Sequence, residues 1–259
     1  MIHFDDGAGY ERTMGTWSRL AGEVFLEWLA PPPGQRWIDV GCGNGAFTEL
    51  LVERCAPAEV HGLDPSEGQL AFARTRPATC ATAFCKGDAM ALPYPESRFD
   101  AAVMALVIVF IPDPAKGLEE MVRVVGPGGT VATYVWDMVG GGFPLEPILA
   151  EMRAAGLNPP GPPQPDASRI TSLRALWTAA GVKKVETREV TVRRTFADFD
   201  DFWQTNLASP SVGPVMDRLT ARDAEALKDR VRAGLSPESD GHLVLSARAN
   251  LIKGISRGN

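Results

Sequence analysis

The stretch WIDVGCGNGAFTELL, Trp37 to Leu51, decides how the rest of the chain is read. An apolar strand, Arg36 to Val40, runs into Gly41-Cys42-Gly43-Asn44-Gly45, and Phe47, Leu50 and Leu51 follow at helical spacing. Strand, glycine turn and helix are the expected elements. Glycine suits such a turn because it lets the chain reverse tightly, and because a missing Cβ lets a ligand lie against the backbone. The helix that follows points its free N–H groups at that ligand. Gly41, Gly43 and Ala46 also satisfy G-x-G-x-x-G/A, so a dinucleotide stays open on this stretch alone. Two carboxylates shift the balance. Asp39, on the strand just before the glycines, opposes a pyrophosphate but suits an ammonium group. Asp64 ends the next strand-like run, Glu59 to Asp64, where its two oxygens can accept both hydroxyls of a ribose. The combination points to a nucleoside carrying an amino-acid tail.

The chain has 259 residues, 45% of them hydrophobic, which suffices for one sizeable α/β domain with an appended region. Its formal net charge of −6 argues against holding nucleic acid by general phosphate attraction, so no such partner is expected. The densest basic segment, Lys183 to Arg194, reads as one late strand with exposed charges. Cys42, Cys55, Cys80 and Cys85 form no C-x-x-C pair, and no histidine pair at ligand spacing accompanies them, so no metal is expected. Cys42 reads as a backbone contributor to the glycine turn rather than a nucleophile. The opening residues MIHFDDGAGYER are polar and acidic, unlike a signal peptide. The longest apolar run, Ala101 to Ile111, is too short to span a bilayer as a helix. A cytoplasmic, thiol-reduced enzyme without membrane insertion fits these features. No sustained heptad or exposed apolar helix specifies an oligomeric state.

Along the chain, Met1 to Ala30 opens with a polar arm and becomes an amphipathic helix with Trp17, Ala21, Phe25 and Leu29 on one face, stopped by Pro31-Pro32-Pro33-Gly34. Residues 35–137 alternate strand and helix. A third strand is expected at about Thr79 to Lys86, a fourth at Ala101 to Ala105 continuing through Leu106 to Phe110, and a fifth at Thr130 to Asp137. Ser66 to Gln69 resembles a capping box with Gln69 reaching back, and Gly126-Pro127-Gly128-Gly129 is expected to end the helix that begins at Asp113-Pro114. After a helix at Leu145 to Ala155, residues 158–165 are rich in proline and glycine and read as an extended loop. Then come a helix near Ser172 to Ala180, a long strand at Val182 to Thr195, and helices opened by Thr195-Phe196-Ala197-Asp198 and Thr220-Ala221-Arg222-Asp223. His242 to Ile255 returns to strand-like alternation. One domain, 1–259, is expected: an N-terminal helix (1–30), a cofactor half (35–137), a loop, helix and strand (138–195), a helical lid insertion (196–241) and a closing strand (242–255).

Four ordered motifs, DVGCGNG (39–45), GLDPS (62–66), KGDAMALPYPESRFD (86–100) and VVGPGG (124–129), resemble those of class I S-adenosylmethionine-dependent methyltransferases. The resemblance is nearest to the broad bacterial group of ubiquinone and menaquinone methyltransferase-like proteins, close over Tyr10 to Asp137 and loose beyond. It implies an α/β, Rossmann-like, seven-stranded, mostly parallel sheet with helices on both faces, the last strand antiparallel, and a helical lid insertion. S-adenosyl-L-methionine is the implied cofactor, S-adenosyl-L-homocysteine its product, and a small-molecule methyl acceptor the partner. The implied cofactor contacts are Trp17, Asp39, Gly41, Cys42, Gly43, Gly45, Asp64, Pro65, Gln69, Asp88, Ala89, Met90 and Leu106. By the same resemblance Pro65 lies against adenine, Asp88 accepts from the adenine amino group and Ala89 offers a backbone N–H to a ring nitrogen. Capping a turn is the other role open to Asp88. Tyr10, Met14 and Trp17 stand near the pocket mouth in this comparison.

The family often has a histidine where this chain has Phe110, which removes a ready base and suggests an apolar wall. Trp136 and Asp137, at the carboxyl end of the fifth strand, and Phe143 are further substrate-side candidates, although a buried aromatic and a helix cap are the plainer roles of the first two. Methyl transfer needs in-line positioning above all, which alone is worth about 7–11 kcal/mol, so a dedicated catalytic residue is not required. Among His3, His61 and His242, His61 reads as structural and none is named as a base. A pocket walled by Phe110, Trp136, Phe143 and aromatics of the insertion would favour a small apolar or aromatic acceptor. The alternatives are an NAD-dependent oxidoreductase that uses the same turn, and a non-catalytic S-adenosylmethionine-binding protein.

Overall fold

The computed structural model describes residues 7–257. Its strands, β1 (Arg36–Val40), β2 (Glu59–Asp64), β3 (Ala83–Lys86), β4 (Phe99–Ala105), β5 (Val125–Trp136), β6 (Lys183–Phe196) and β7 (Leu243–Ile255), form one sheet in the order β3-β2-β1-β4-β5-β7-β6. The first five pair in parallel, and β7 runs antiparallel to both β5 and β6. The expected seven-stranded, mostly parallel sheet with an antiparallel last strand is the observed one. Strand order reverses between β1 and β4, and open α/β sheets bind ligands at such a switch point, beyond the carboxyl ends of the strands.

Both faces of the central strands are covered, which is why β1 and β4 read as nearly unbroken apolar runs. On one face α2 (Thr16–Leu29) and α3 (Ala46–Cys55) pack Phe25 and Phe47 against Tyr134, with ring centroids 4.8 and 5.5 Å from the tyrosine. On the other, α5 (Pro114–Val124) and α7 (Ile170–Ala179) pack Leu118, Met121, Leu173 and Trp177 against Ile38, Val40 and Met104. Burial of each such side chain is worth about 1.5–3 kcal/mol. The Trp177 indole N–H is satisfied inside that core by the Val131 carbonyl at 3.1 Å. The N-terminal segment is helical without interruption, from α1 (Gly7–Tyr10) through a π-turn at Glu11–Gly15 into α2. His3 and the first part of the polar arm lie outside the described residues.

Several boundaries differ from the sequence reading, each for a local reason. The fourth strand stops at Ala105, because Leu106 adopts a left-handed φ of +64° and Ile108–Phe110 then form a single 3-10 turn. The third strand is shorter, since Pro77–Thr79 is a 3-10 turn and pairing begins at Ala83. No glycine caps α5. It ends at Val124, and Gly126 to Gly129 instead occupy an irregularity between the Phe99↔Val125 and Ala101↔Thr130 pairs. The fifth strand therefore starts five residues earlier than expected, at Val125 rather than Thr130.

Thr195 and Phe196 stay paired with β7, so the helix after them, α8 (Phe199–Leu207), starts later and takes Asp198 as its cap. Helix α10 (Ala221–Ala233) starts as read, with Thr220 accepting from the Asp223 N–H. Trp136 pairs with Ala249, whereas Leu243 pairs with Phe196. The β6–β7 hairpin thus extends past the carboxyl end of β5 and carries α8, α9 (Gly213–Met216) and α10 to the ligand side of the sheet.

Candidate functional site

The glycine turn is fixed from two sides. Gly41 and Cys42 donate their N–H groups to the Leu63 carbonyl at 2.7 and 3.0 Å, tying the turn to β2. Gly41 has a φ of +76°, and a Cβ there would stand 2.5 Å from Cγ1 of Val107, so both conformation and space demand glycine. The Asp64 carboxylate accepts from Gly43 N–H through Oδ2 and from Ser66 N–H through Oδ1, each at 2.9 Å. Asn44 donates to the Gly7 carbonyl at 3.1 Å and to Glu11 at 2.9 Å. Arg76 gathers the same region, donating to the Asn44 carbonyl and to Glu49 at 2.7 Å each, and also to Glu11. The N-terminal helix is thereby fastened onto the turn.

Between the turn, Asp64 and the β4 end lies a cavity of about 640 Å³. Gly41, Cys42, Gly43, Asp64, Pro65, Gln69, Asp88, Ala89, Met90 and Leu106 all line it. Three expected contacts do not. Trp17 packs edge-on to Trp136, with centroids 6.4 Å apart, and is fully within the core, because the helix face that carries it points at β5 and β6. Gly45 sits behind the turn as the residue preceding α3. Asp39 is fully buried behind the cavity wall, its Oδ2 accepting from the Thr48 hydroxyl at 2.6 Å and its Oδ1 without a hydrogen-bond partner among the described residues.

Gln69 does not reach back to complete a capping box. The Ser66 hydroxyl does accept from the Gln69 N–H, but Gln69 Oε1 is buried with no hydrogen bond among the described residues. Asp88 both lines the cavity and caps its own turn, accepting from Met90 N–H at 2.8 Å. The sequence reading missed Ser18, Asn44, Val107, Tyr134 and Gln164 as lining residues. Asn44, inside the glycine motif, is the one that the motif itself could have flagged.

Among the described residues no lysine, arginine or histidine lines this cavity, whereas two carboxylates do. Burial pushes the Asp39 carboxyl up to about 7, partly offset by the Thr48 hydrogen bond and reinforced by the nearby Asp64 charge. Burial likewise raises the Cys42 thiol well above its ordinary range, which keeps it protonated and supports its reading as backbone rather than nucleophile. The Tyr10 phenol is also raised by burial, only partly opposed by its 3.1 Å hydrogen bond with the Ser18 hydroxyl. It therefore serves as a neutral hydrogen-bonding group near pH 7, not as a base.

A second, smaller chamber of about 80 Å³ adjoins the first, and Tyr10, Leu106 and Phe110 line both. Trp136, Phe143 and Met14 are among its walls. Asp137 lines neither: its Oδ2 accepts from Arg248 at 2.6 Å and its Oδ1 from Gly140 N–H at 2.9 Å, which pins the triglycine loop to β7. The aromatics of the insertion are also elsewhere, with Phe199, Phe202 and Trp203 in the core, so the insertion contributes Ser209, Pro210 and Ser211 to the chamber instead. His61 hydrogen-bonds Glu59 at 2.7 Å and Tyr94 at 3.2 Å, a structural role, and His242 pairs with Asp240 away from both chambers.

Residues 38–133 match the family described as a methyltransferase domain. The matched segment runs from β1 into β5. Over 147 residues the chain is 32% identical to the 2-phytyl-1,4-naphthoquinone methyltransferase of Synechococcus elongatus, an alignment covering 55% of this chain and 59% of that protein. Over 115 residues it is 35% identical to a ubiquinone/menaquinone biosynthesis C-methyltransferase of Roseobacter denitrificans, covering 43% and 46%. The chain spans about half the length of the curated relatives it matches.

In fold it is similar to the phosphoethanolamine N-methyltransferase 2 of Haemonchus contortus, solved with S-adenosyl-L-methionine, at a TM-score of 0.56 and 15% identity over 98% of this chain and 60% of that one. The methyltransferase domain holds the glycine turn, Asp64, Asp88 to Met90 and Leu106. Trp136, Phe143 and Ser209 to Ser211, which build the second chamber, lie beyond it. Among the described residues no helix is long and apolar enough to cross a membrane.

Proposed function

We propose that the methyltransferase domain binds S-adenosyl-L-methionine in the larger cavity and that the chain transfers its methyl group to a small-molecule acceptor placed in line from the second chamber. The observation that carries this reading is a cavity wall that, among the described residues, has Asp64 and Asp88 and no cationic side chain, backed by the buried Asp39. A sulfonium and an ammonium are favoured in such a field, and a pyrophosphate is repelled. Size agrees. A 150 Å³ cavity holds benzene, roughly 25 Å³ per non-hydrogen atom, so S-adenosyl-L-methionine with about 27 such atoms needs about 675 Å³, close to the cavity's 640 Å³, whereas NAD with about 44 needs about 1,100 Å³.

Asp64, oriented by Gly43 and Ser66, would accept the ribose hydroxyls. Asp88 and the Ala89 N–H would face the adenine edge, Pro65 its ring, and Gln69 Oε1, otherwise unpaired, would accept from the bound ligand. Bound there, S-adenosyl-L-methionine supplies an electrophilic methyl group on a good leaving group. The chain's own work is then to hold, align and desolvate the acceptor. As the methyl–acceptor bond forms and the sulfonium–methyl bond breaks, a proton on the acceptor atom passes to solvent, and a base would help where that atom is an oxygen or an acidic carbon. The helices of the 196–241 insertion, held over the carboxyl edge by the long hairpin, act in this reading as a cover.

The test uses methyl-labelled S-adenosyl-L-methionine incubated with the protein and fractionated small-molecule extracts. Label appearing in an extractable organic product only when the protein is present supports transfer. Tight ligand binding with no label released to any fraction would instead favour the non-catalytic alternative.

A further inference from the structure

The second chamber has two properties that bear on what the acceptor is, an inference that rests on the proposed methyl transfer. First, among the described residues no aspartate, glutamate, lysine, arginine or histidine is in its walls, and Tyr10 is the one ionisable residue there. A charged group placed there would lose its hydration with nothing to pair with it. Second, its volume of about 80 Å³ is roughly half of the 150 Å³ that holds a benzene ring, which leaves space for about three non-hydrogen atoms.

Three residues, Tyr10, Leu106 and Phe110, form the waist between the chambers. Leu106 holds an uncommon left-handed φ of +64°, and its N–H donates to the Tyr134 carbonyl at 2.8 Å. A backbone strained in this way persists only where its surroundings fix it, and here it sets a leucine side chain at the junction. Tyr10, tethered to Ser18 at 3.1 Å, is the polar group at the same place.

We infer that the second chamber is the acceptor subsite and admits a compact, uncharged terminus of about three non-hydrogen atoms, such as a branched alkyl group, with the acceptor's polar, reacting end at the waist beside the Tyr10 hydroxyl. Whole aromatic rings and carboxylate-bearing ends are excluded, the first by volume and the second by charge.

Saturation-transfer NMR on the full chain tests this with three probes that need no cofactor: isobutyramide, isobutyrate and benzamide. Isobutyramide carries a three-carbon branch and a neutral carbonyl, isobutyrate adds a charge, and benzamide adds a ring. The expected result is saturable isobutyramide binding at least tenfold tighter than that of either other probe. Ser211→Leu, which fills the chamber, should abolish it while S-adenosyl-L-homocysteine affinity by calorimetry stays within twofold. Phe143→Ala, which enlarges the chamber, should bring benzamide up at least tenfold.

Isobutyrate or benzamide binding the native chain as tightly as isobutyramide would overturn the inference. So would the absence of isobutyramide binding at tens of millimolar, or binding that survives in folded Ser211→Leu. Because the probes are read without cofactor, their failure leaves the cofactor reading intact. A failure of S-adenosyl-L-homocysteine to bind the native chain would in turn remove the methyl-transfer reading, whatever the probes do.

Discussion

Replacing Asp39 with asparagine should stabilise the ligand-free protein at alkaline pH and weaken its hold on the cofactor. The carboxyl is fully buried, keeps one oxygen unpartnered, and is raised from 3.8 to about 7, chiefly by desolvation. A shift of roughly three pH units corresponds to about 4 kcal/mol, since each unit is worth about 1.4 kcal/mol. The sign follows from linkage. Between pH 3.8 and about 7 the folded chain binds this proton and the unfolded chain does not, so stability falls as pH rises through that window and levels off above it.

From pH 5 to pH 8 the native protein should lose about 2.5 kcal/mol more than Asp39→Asn, in which the group does not titrate. Any fixed cost of an unsatisfied amide cancels in that comparison. For a chain of this size the differential shift in Tm is about 5–10 °C, read by scanning calorimetry across the pH range. S-adenosyl-L-homocysteine affinity should move the other way, about tenfold weaker at pH 6 than at pH 8 for the native chain as the ionised fraction falls, and weak and nearly flat with pH for the variant. Parallel Tm–pH curves for the two proteins, or equal ligand affinity at pH 8, would refute the reasoning.

Gly41→Ala forces a left-handed alanine and sets its Cβ against Val107, so a loss of about 2 kcal/mol or more, 4–8 °C in Tm, should accompany at least tenfold weaker S-adenosyl-L-homocysteine binding in calorimetry. Arg76→Ala leaves Glu11 and Glu49 without their shared cation, and should cost about 1–3 kcal/mol and make the segment before residue 30 the first site of limited proteolysis. Arg248→Ala releases Asp137 and the triglycine loop and should lower stability by about 1–3 kcal/mol in denaturant titration, yet leave S-adenosyl-L-homocysteine affinity unchanged, because Asp137 lies outside both chambers.

The walls of the larger cavity were legible where their determinants are local in sequence. The glycine turn, Asp64 and the segment Asp88 to Met90 each follow a strand directly, and a strand that ends at the switch point delivers them to one place. Amphipathic spacing showed that Trp17 is buried, but spacing identifies a helix face and not which neighbour that face meets. Here the neighbours were Trp136 and Phe196 rather than the cavity. Leu106 was named as a contact, but its left-handed backbone was hidden for a different reason. An apolar run of this kind reads as one long strand, and composition carries no signature of a leucine with positive φ.

Asp137 stood at a strand end, where ligands bind, but its partner Arg248 enters from β7, more than a hundred residues later. The second chamber was the least readable feature, since it is assembled from the N-terminal helix, the β4 and β5 ends, residues 160–162 and the loop Ser209 to Ser211. Only the long β6–β7 hairpin brings the last of these near the others.

The central claim is that the larger cavity is built for S-adenosyl-L-methionine and that Asp64 is its principal polar anchor. The most direct test is calorimetric titration of the native chain and Asp64→Asn with S-adenosyl-L-methionine, S-adenosyl-L-homocysteine and NAD. The account predicts saturable binding of both methyl-cofactor ligands, at least about thirtyfold weaker in Asp64→Asn because a charge-assisted pair worth about 2–3 kcal/mol is lost, with no heat from NAD. Binding of NAD in place of the other two, or affinity for them that is indifferent to Asp64→Asn, would contradict it.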